Sequence, residues 1–301
     1  MVSRYLTLFI VTVRGLFLAS SLGPALFGVY SLVILLQQQL SLTALGMREA
    51  VTISLSGQDL NDSNYTETIS SSIGFTIFVG FLLFLISIPS YIFRDSIAAY
   101  HPAFSYLWLA FTISGVAVSN EVLTNIARLN GFIKLIALVE LSFALSTFAI
   151  ALMVIFLGYS ITSLFIGILC TSLIVFGVLF STIFRNKKIL IKKHILKSLL
   201  LLGLPLMMVN VLTVLTISFG LWIVGANESL HDAGQYAFAA SLASVISYGI
   251  NAYAWVYFAE IIGDFSKSST SEFLSEKINE IRRFALLGLM VTSIFACFLY
   301  P

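Results

Sequence analysis

The chain contains 301 residues, of which 59% are hydrophobic and only 10% are charged, and its mean hydropathy is +1.01. An ordinary soluble domain is about half apolar and roughly a quarter charged, so this composition excludes a soluble enzyme and a disordered protein. A formal net charge of +2 is too small to indicate a nucleic acid as partner. The composition predicts an integral membrane protein that crosses the bilayer several times.

Nine apolar stretches are long enough to cross a bilayer, for which a helix needs about 20 residues. The predicted helices comprise residues 5–22, 26–45, 73–92, 104–126, 132–157, 161–184, 198–225, 236–261 and 284–300. The first is not a typical cleaved signal peptide, because Arg14 interrupts it and a second apolar stretch follows almost at once. The sequence therefore predicts an all-α, polytopic transmembrane bundle of about nine helices.

The distribution of lysine and arginine predicts the orientation of these helices. Fourteen of the sixteen Lys and Arg residues fall on one side when the helices alternate across the membrane. The exceptions are Arg14, inside the first helix, and Arg94, after the third. Because basic connections remain in the cytoplasm, we expect a multi-pass protein of the inner or plasma membrane with a cytoplasmic N-terminus.

One strongly basic stretch, Arg185–Lys197, divides the chain into two parts. Apolar residues alternate with its charges, which predicts an amphipathic cytoplasmic linker on the membrane surface. It would separate a six-helix lobe at residues 1–184 from a lobe of three helices at residues 198–301. A faint repeat favours two related halves, since Gly28-Val29-Tyr30 opens the second helix and Gly234-Gln235-Tyr236 opens the eighth.

Several ionisable side chains lie within or at the ends of the apolar stretches, where they must face protein or water. Arg14 stands near the middle of the first helix, and both a pathway role and a structural pair with Glu121 or Glu140 remain open. Arg48, at the cytoplasmic end of the second helix, can reach the lipid headgroups. These groups predict a polar interior in the first half of the chain.

Amide side chains add to this polar interior. Gln37, Gln38 and Gln39 are consecutive and sweep about 200° of a helix, so at least one of them must face a cavity or a polar partner. Asn210 adds another amide in the seventh helix. We expect a water-accessible cavity, slightly cationic if Arg14 and Arg48 both line it.

The sequence carries no pattern typical of an enzyme. Its three histidines are isolated from one another, and no phosphate-binding loop, nucleophile elbow or metal-ligand spacing is present. We therefore expect neither enzymatic activity nor a cofactor.

Four short motifs resemble those of the polysaccharide (O-antigen type) flippases. Leu22–Ser31 is similar to the turn between the first two helices of that family, and Leu42–Ala50 is similar to the end of its second helix. Gly203–Leu206 resembles the Gly-φ-Pro that opens the seventh helix, and Ala233–Ala237 resembles the motif before the eighth. The motifs occur in the family's order and span most of the chain.

The resemblance implies a member of the multidrug/oligosaccharidyl-lipid/polysaccharide exporter (MOP) superfamily, with two six-helix lobes around a central cavity and an alternating-access cycle. The implied cargo is an undecaprenyl-diphosphate-linked oligosaccharide moved from the cytoplasmic to the outer leaflet. Arg14 and Arg48 would contact the diphosphate, and the Gln37–Gln39 group would contact sugar hydroxyls. Glu121 or Glu140 would be counter-ions or would couple transport to a proton or sodium gradient, and Asn210 would line the path. Implied partners are membrane lipid and other polysaccharide-assembly membrane proteins.

Two departures from the family pattern leave alternatives open. Ser20 stands where many members have arginine, and the chain stops after a ninth predicted helix whereas the family has twelve or more. We therefore expect a complete first lobe joined to half of a second, in a truncated product. The alternatives are a cation-coupled drug exporter of the same superfamily, a membrane polymerase or acyltransferase acting on polyprenyl-linked sugars, and an inactive remnant.

Overall fold

The computed structural model describes residues 2–55, 63–184 and 191–242, and all regular structure in these ranges is helical. The helices are α1 (Val2–Ser41), α2 (Met47–Leu55), α3 (Ser63–Ile92), α4 (Arg94–Ala98), α5 (Leu107–Leu129), α6 (Ile133–Phe156), α7 (Ile161–Ile183), α8 (Lys193–Asn227) and α9 (residues 230–242). Two 3-10 turns, Leu42–Ala44 and Pro102–Tyr106, precede α2 and α5. The fold class predicted from composition is confirmed.

The helix α1 is broken at Gly23, where the backbone has a φ of 72° and a ψ of 165°. L-residues other than glycine rarely adopt such a conformation, and Pro24, which follows, has no N–H to continue the helical bonding. The break divides α1 into a first half, residues 2–22, and a second half, residues 24–41. These halves correspond to the first two predicted transmembrane helices.

Side-chain contacts show that the two halves of α1 run in opposite directions. The first half is parallel to α6, because Arg4 pairs with Glu140 and Phe17 contacts Phe156 further along both helices. The second half is parallel to α7 and α5: Tyr30 stacks on Phe165 near the start of α7, and Gln37, further along, accepts from Ser114 of α5 and lines the same cavity as Ser172 of α7. Since α6 and α7 are joined by a four-residue turn and pack antiparallel, α1 forms a hairpin with its tip at Gly23.

The helices α3 and α5 form a long antiparallel pair. Tyr65 donates a hydrogen bond to Asn130 at one end, and the Tyr91 and Trp108 rings meet at the other. At the crossing, Gly80 and Gly115 bring the two main chains together without intervening side chains. Small residues at such crossings allow membrane helices to pack closely.

Three clusters of buried apolar residues hold the described helices together, and the two larger ones lie one towards each end. We call the end that carries Arg4, Arg48 and Arg128 the basic end. The cluster at this end includes Met47, Tyr65, Ile126 and Leu199, among others. The cluster at the opposite end surrounds the tip of the α1 hairpin and the start of α7. Many large apolar side chains on the outside are exposed, as expected of a surface that faces lipid.

Six described helical segments are long and apolar enough to span a membrane. The first of these, Ser3–Ala44, has 42 residues and contains both halves of the α1 hairpin, so the first seven predicted helices all have counterparts. The eighth prediction, 236–261, is described only as far as residue 242, where it is helical. The ninth, 284–300, lies outside the described residues.

Three predicted helix starts are too late. The helix α3 begins at Ser63 and not at residue 73, α8 begins at Lys193 and not at residue 198, and α9 begins at residue 230 and not at residue 236. Buried hydroxyls explain the first error, because groups such as Ser72 donate to carbonyl oxygens one turn earlier in the same helix and satisfy themselves without water. Residues 193–197, the last part of the predicted linker, form the first turns of α8. Residues 185–190 lie outside the described residues.

Candidate functional site

A cavity of about 700 Å³ opens among α1, α2, α5, α6 and α7 towards the basic end. It is lined by three arginines and three glutamates: Arg4, Arg48, Arg128, Glu49, Glu121 and Glu140. Uncharged polar residues also line it, namely Gln37, Thr52, Asn120, Thr124, Asn125 and Ser172, together with six apolar residues: Ile53, Ala117, Val139, Phe143, Val175 and Leu206 of α8. Its volume is within the range of about 300–1,000 Å³ that is typical of small-ligand sites. We call it the large cavity.

The three arginines come from three different helices. Arg4 lies 3.9 Å from the Glu140 carboxylate of α6. Arg48, whose side chain is 51% exposed, donates from Nε and Nη2 to Glu49 Oε1 at 2.9 and 2.7 Å. These two pairs balance the charge of Arg4 and Arg48 while leaving their guanidinium groups at the cavity surface.

Asn125 holds the arginine side of the cavity in place. Its Nδ2 donates to the backbone carbonyl of Arg48 at 2.9 Å and to the Thr52 hydroxyl, and its Oδ1 accepts from Arg128 Nη2 at 2.7 Å. One buried amide therefore ties α2 to α5 and fixes the direction of Arg128. Arg128 lies in the last turn of α5, where the helix dipole also favours a cation.

Glu121 differs from the other two carboxylates. It is exposed to the cavity, and within the described ranges it has no hydrogen bond or ion pair, although Arg48 and Glu49 are near enough to act on its charge. Asn120, its neighbour, donates from Nδ2 to the Ser172 carbonyl of α7, while its buried Oδ1 has no hydrogen-bond partner in the part of the chain that the structure describes. The exposed Glu121 carboxylate is therefore the group available to a polar ligand.

A second, smaller cavity of about 250 Å³ lies between α8 and the turn that precedes α2. Arg48, Glu49 and Glu121 line both cavities, so they form the wall between them. Gln38 and Asn210 line only the smaller one. The wall therefore connects the first lobe to α8, the first helix of the predicted second lobe.

The structure brings most of the predicted path residues to these two cavities. Gln37 faces the large cavity, Gln38 faces the small one, and Gln39 donates to Ser218 of α8 at 3.3 Å, so the three amides do point in three directions. Asn210 donates to Glu49 at 3.2 Å. Arg48, Glu121 and Glu140 line the large cavity as described above.

Arg14 does not lie where a residue in contact with the cargo, or a partner of Glu121 or Glu140, would lie. Its Nη1 donates to the buried Thr147 hydroxyl of α6 at 2.7 Å, and its buried Nε has no hydrogen-bond partner among the described residues. It lines neither cavity and pairs with neither Glu121 nor Glu140, which is instead the partner of Arg4. A slightly cationic cavity is expected only if Arg14 and Arg48 both line it; Arg48 does and Arg14 does not, and the described lining of the large cavity has three arginines and three glutamates.

Sequence reasoning missed Arg4, Arg128 and Glu49 as cavity residues. Arg4 and Arg128 both stand at the cytoplasmic ends of predicted helices, where basic residues indicate the orientation of the chain and say nothing of a cavity. The Asn125–Arg128 spacing of three residues, which places both side chains on one helix face, could have indicated a polar cluster. Among the described residues, no three His, Cys, Asp or Glu side chains are grouped to hold a metal ion.

Comparisons with known proteins agree with this architecture. The family model described as "Polysaccharide biosynthesis protein" matches residues 17–259. No curated protein matches the chain.

Three solved structures have a similar fold. The first is a MOP superfamily transporter from Pyrococcus furiosus, for which a reversed polarity of the binding pocket suggests a different function (14% identity, TM-score 0.51). The second is a multidrug resistance MATE family transporter in its outward-facing conformation (15% identity, TM-score 0.53). The third is a MATE protein in complex with Br-NRF (16% identity, TM-score 0.54). The matches cover 88%, 87% and 87% of this chain and 66%, 66% and 68% of those structures. This chain therefore spans about two thirds of their length, and at such identities the likeness shows the fold alone.

Proposed function

The chain belongs to the polysaccharide biosynthesis protein family, and we propose that it is a flippase-type transporter of the MOP superfamily that translocates a lipid-linked oligosaccharide diphosphate. The single observation that carries this proposal is the large cavity, into which α1, α2 and α5 each contribute one arginine. A diphosphate needs several cations because its charge is concentrated on a few oxygens. Guanidinium groups bind phosphate oxygens in pairs, which a lysine cannot do.

The chemistry of the empty cavity fits an anionic headgroup. Glu140 and Glu49 neutralise Arg4 and Arg48 in the absence of cargo, so the arginines need not stand uncompensated in a region of low dielectric constant. Asn120, Gln37 and Thr124 offer amide and hydroxyl groups of the kind that bind sugar hydroxyls. The polyprenyl tail would remain in lipid while the headgroup enters from the basic end, which we propose faces the cytoplasm.

Binding of inorganic pyrophosphate to the purified chain in detergent tests the headgroup site. We expect Arg48→Ala to raise the Kd about tenfold, because charge-assisted hydrogen bonds contribute about 1.5–3 kcal/mol and Arg48 is half exposed. Arg94→Ala is the matched control, since Arg94 is equally exposed and pairs with its neighbour Asp95 outside the cavity. Equal affinities of Arg48→Ala and Arg94→Ala would refute the proposed headgroup site.

A second candidate function, export of an organic cation, is favoured by Glu121. This carboxylate is exposed to both cavities without a hydrogen bond or ion pair among the described residues, so it could bind a cationic drug or a coupling proton or sodium ion. Under that function, Glu121→Gln abolishes binding of a quaternary ammonium dye while Arg48→Ala leaves it unchanged. The flippase proposal expects the opposite ranking with pyrophosphate as the ligand.

A further inference from the structure

Glu49 lies where the large cavity, the small cavity and α8 meet. Its Oε1 accepts hydrogen bonds from Nε and Nη2 of Arg48 at 2.9 and 2.7 Å. The same oxygen accepts a hydrogen bond from Nδ2 of Asn210 at 3.2 Å. Asn210 belongs to α8, whereas Arg48 and Glu49 belong to α2. One carboxylate oxygen therefore joins the arginine of the large cavity to the first helix of the predicted second lobe.

We propose that Glu49 is a built-in competitor for the cargo: it occupies Arg48 while the cavity is empty, and an incoming diphosphate displaces it and thereby releases α8 from α2. The inference rests on the proposed function, because it assumes that a diphosphate binds Arg48. It adds a positioning residue and a route by which loading reaches the second lobe.

The geometry of the pair supports displacement. Arg48 directs the Nε and Nη2 edge of its guanidinium at a single carboxylate oxygen, although that edge is shaped to bind two oxygens at once. Glu49 and Arg48 are also sequence neighbours, and side chains at adjacent helix positions do not face each other naturally. A phosphate group offers two oxygens to the same edge and carries more charge, so it competes effectively with Glu49.

Displacement has a direct consequence for α8. Once Arg48 turns to the diphosphate, Glu49 is repelled by the bound anion and loses the position from which it accepts the Asn210 hydrogen bond. Gln39 and Ser218, two turns further along α8, form the next polar contact between α8 and the α1 hairpin. Loading therefore weakens the contact at the basic end, where the two lobes must separate or rearrange during transport.

The first test measures pyrophosphate affinity after the competitor is removed. We expect Glu49→Gln to lower the Kd about fivefold, the change that corresponds to an exposed ion pair of about 1 kcal/mol. A merely structural role of Glu49 predicts weaker binding, not tighter. If Glu49→Gln does not fold, Glu49→Ser removes the same charge with a smaller side chain. An unchanged or higher Kd in the folded variant overturns the inference.

Glu140→Gln is the matched control for cavity charge. It removes one negative charge from the same cavity, but its partner Arg4 is 3.9 Å away on α1, and neither residue belongs to the described lining of the small cavity beside α8. We expect it to lower the Kd by at most about twofold. Equal tightening by Glu140→Gln and Glu49→Gln would show that net charge alone matters and would overturn the competitor role.

The second test follows α8 directly. In a Cys170→Ser, Cys297→Ser background, the pair Gln39→Cys and Ser218→Cys replaces two side chains in contact, so the rate of disulfide formation reports their proximity. We expect pyrophosphate to slow this cross-linking about threefold, and Asn210→Ala to slow it without pyrophosphate and to remove the effect of pyrophosphate. A pyrophosphate effect that is absent, or equally large with Asn210→Ala, overturns the coupling.

The source of the diphosphate is distinguished by a second ligand. Farnesyl diphosphate carries the same headgroup on a short prenyl chain, and we expect Glu49→Gln to tighten its binding by the same factor as for pyrophosphate. If Glu49→Gln tightened the binding of farnesyl diphosphate but not of pyrophosphate, the effect would depend on the prenyl chain and not on the diphosphate, and the inference would be overturned. If Arg48→Ala weakens binding but Glu49→Gln changes nothing, the proposed function stands and the competitor role fails.

Discussion

The crossing of α3 and α5 at Gly80 and Gly115 offers a direct test of the packing. A Cβ at residue 115 would lie 2.8 Å from the Gly80 carbonyl oxygen and 3.4 Å from the Gly80 carbonyl carbon and Cα. The contact with oxygen falls roughly 0.6 Å short of the 3.4 Å at which ordinary contact begins. All three atoms belong to the main chain, so no side-chain rotation relieves the overlap and the two helices must move apart.

We expect Gly115→Ala to destabilise the bundle. Overpacking of this kind lowers the free energy of unfolding by about 1–3 kcal/mol, whereas replacing glycine by alanine within a helix raises it by about 0.5–1 kcal/mol. Gly177→Ala in α7 is the matched control, because nothing lies within 4 Å of its added Cβ and it receives only the helix-forming gain. The difference between the two variants therefore isolates the cost of the crossing.

The assay is unfolding of the purified chain in mixed detergent micelles, followed by the helical circular dichroism signal. Gly115→Ala should unfold at a lower denaturant concentration than the parent chain, and Gly177→Ala at the same or a higher one. If Gly115→Ala proves as stable as Gly177→Ala, the close main-chain approach is wrong.

Three further predictions concern the cap of α9, the orientation and Arg14. The Ser229 hydroxyl donates a hydrogen bond to the Asp232 carboxylate and lowers its pKa. The hydrogen bond therefore stabilises the folded chain above the ordinary aspartate pKa of about 3.9, and this stabilisation is lost as the pH falls through the lower pKa of the folded state. Ser229→Ala should reduce the melting temperature at pH 7 and less so at pH 3. In a cysteine-free background, Ser229→Cys should react with an impermeant thiol reagent in whole cells and Asn186→Cys should not; the reverse would invert the orientation. Thr147→Val removes the acceptor of Arg14 and should cost about 1–3 kcal/mol of stability without changing pyrophosphate affinity. Thr171→Val should cost less, because among the described residues the Thr171 hydroxyl bonds only the Gly167 carbonyl of its own helix.

Apolar length alone was enough to predict the membrane helices, because a segment within lipid must satisfy its own backbone and only a helix does so locally. The starts of α3 and α8 could not be predicted in the same way. The first residues of α3 have a polar composition typical of a loop, yet Tyr65 bonds Asn130, and Glu67 pairs with Lys192, just before α8 begins. Those partners lie 65 and 125 residues away, so no local pattern reveals them.

The candidate site was predictable in composition but not in arrangement. A run of three glutamines must face several directions, and it does. Which arginine enters the cavity depends on which helices pack side by side, and periodicity contains no such information. Arg14 and Arg4 lie on the same half of α1, but α6 presents Thr147 to the first and Glu140 to the second. The neighbouring helix therefore decides their roles.

The faint Gly-x-Tyr repeat of the sequence acquires a physical meaning at the end opposite the basic end. There Gly28 and Gly234 face each other: a Cβ on Gly28 would overlap the Leu230 carbonyl oxygen, and a Cβ on Gly234 would overlap that of Pro24. Each added Cβ would also lie 3.1 Å from the backbone nitrogen of the other glycine. The two repeats therefore meet main chain to main chain, and any side chain at this point holds them apart.

The proposed transport by alternating access requires one end to open at a time, so a substitution that prevents this contact should shift the population towards the state that is open at this end. We expect Gly28→Ala to increase the rate at which Ala233→Cys, buried beside the contact, reacts with an impermeant thiol reagent by about five- to tenfold, which corresponds to about 1–1.4 kcal/mol. Gly15→Ala in the same helix is the control, because its added Cβ meets nothing within 4 Å. If both variants label at the parent rate, the glycine contact does not keep this end closed, and closure must depend on the apolar cluster around Phe27 and Tyr30 instead.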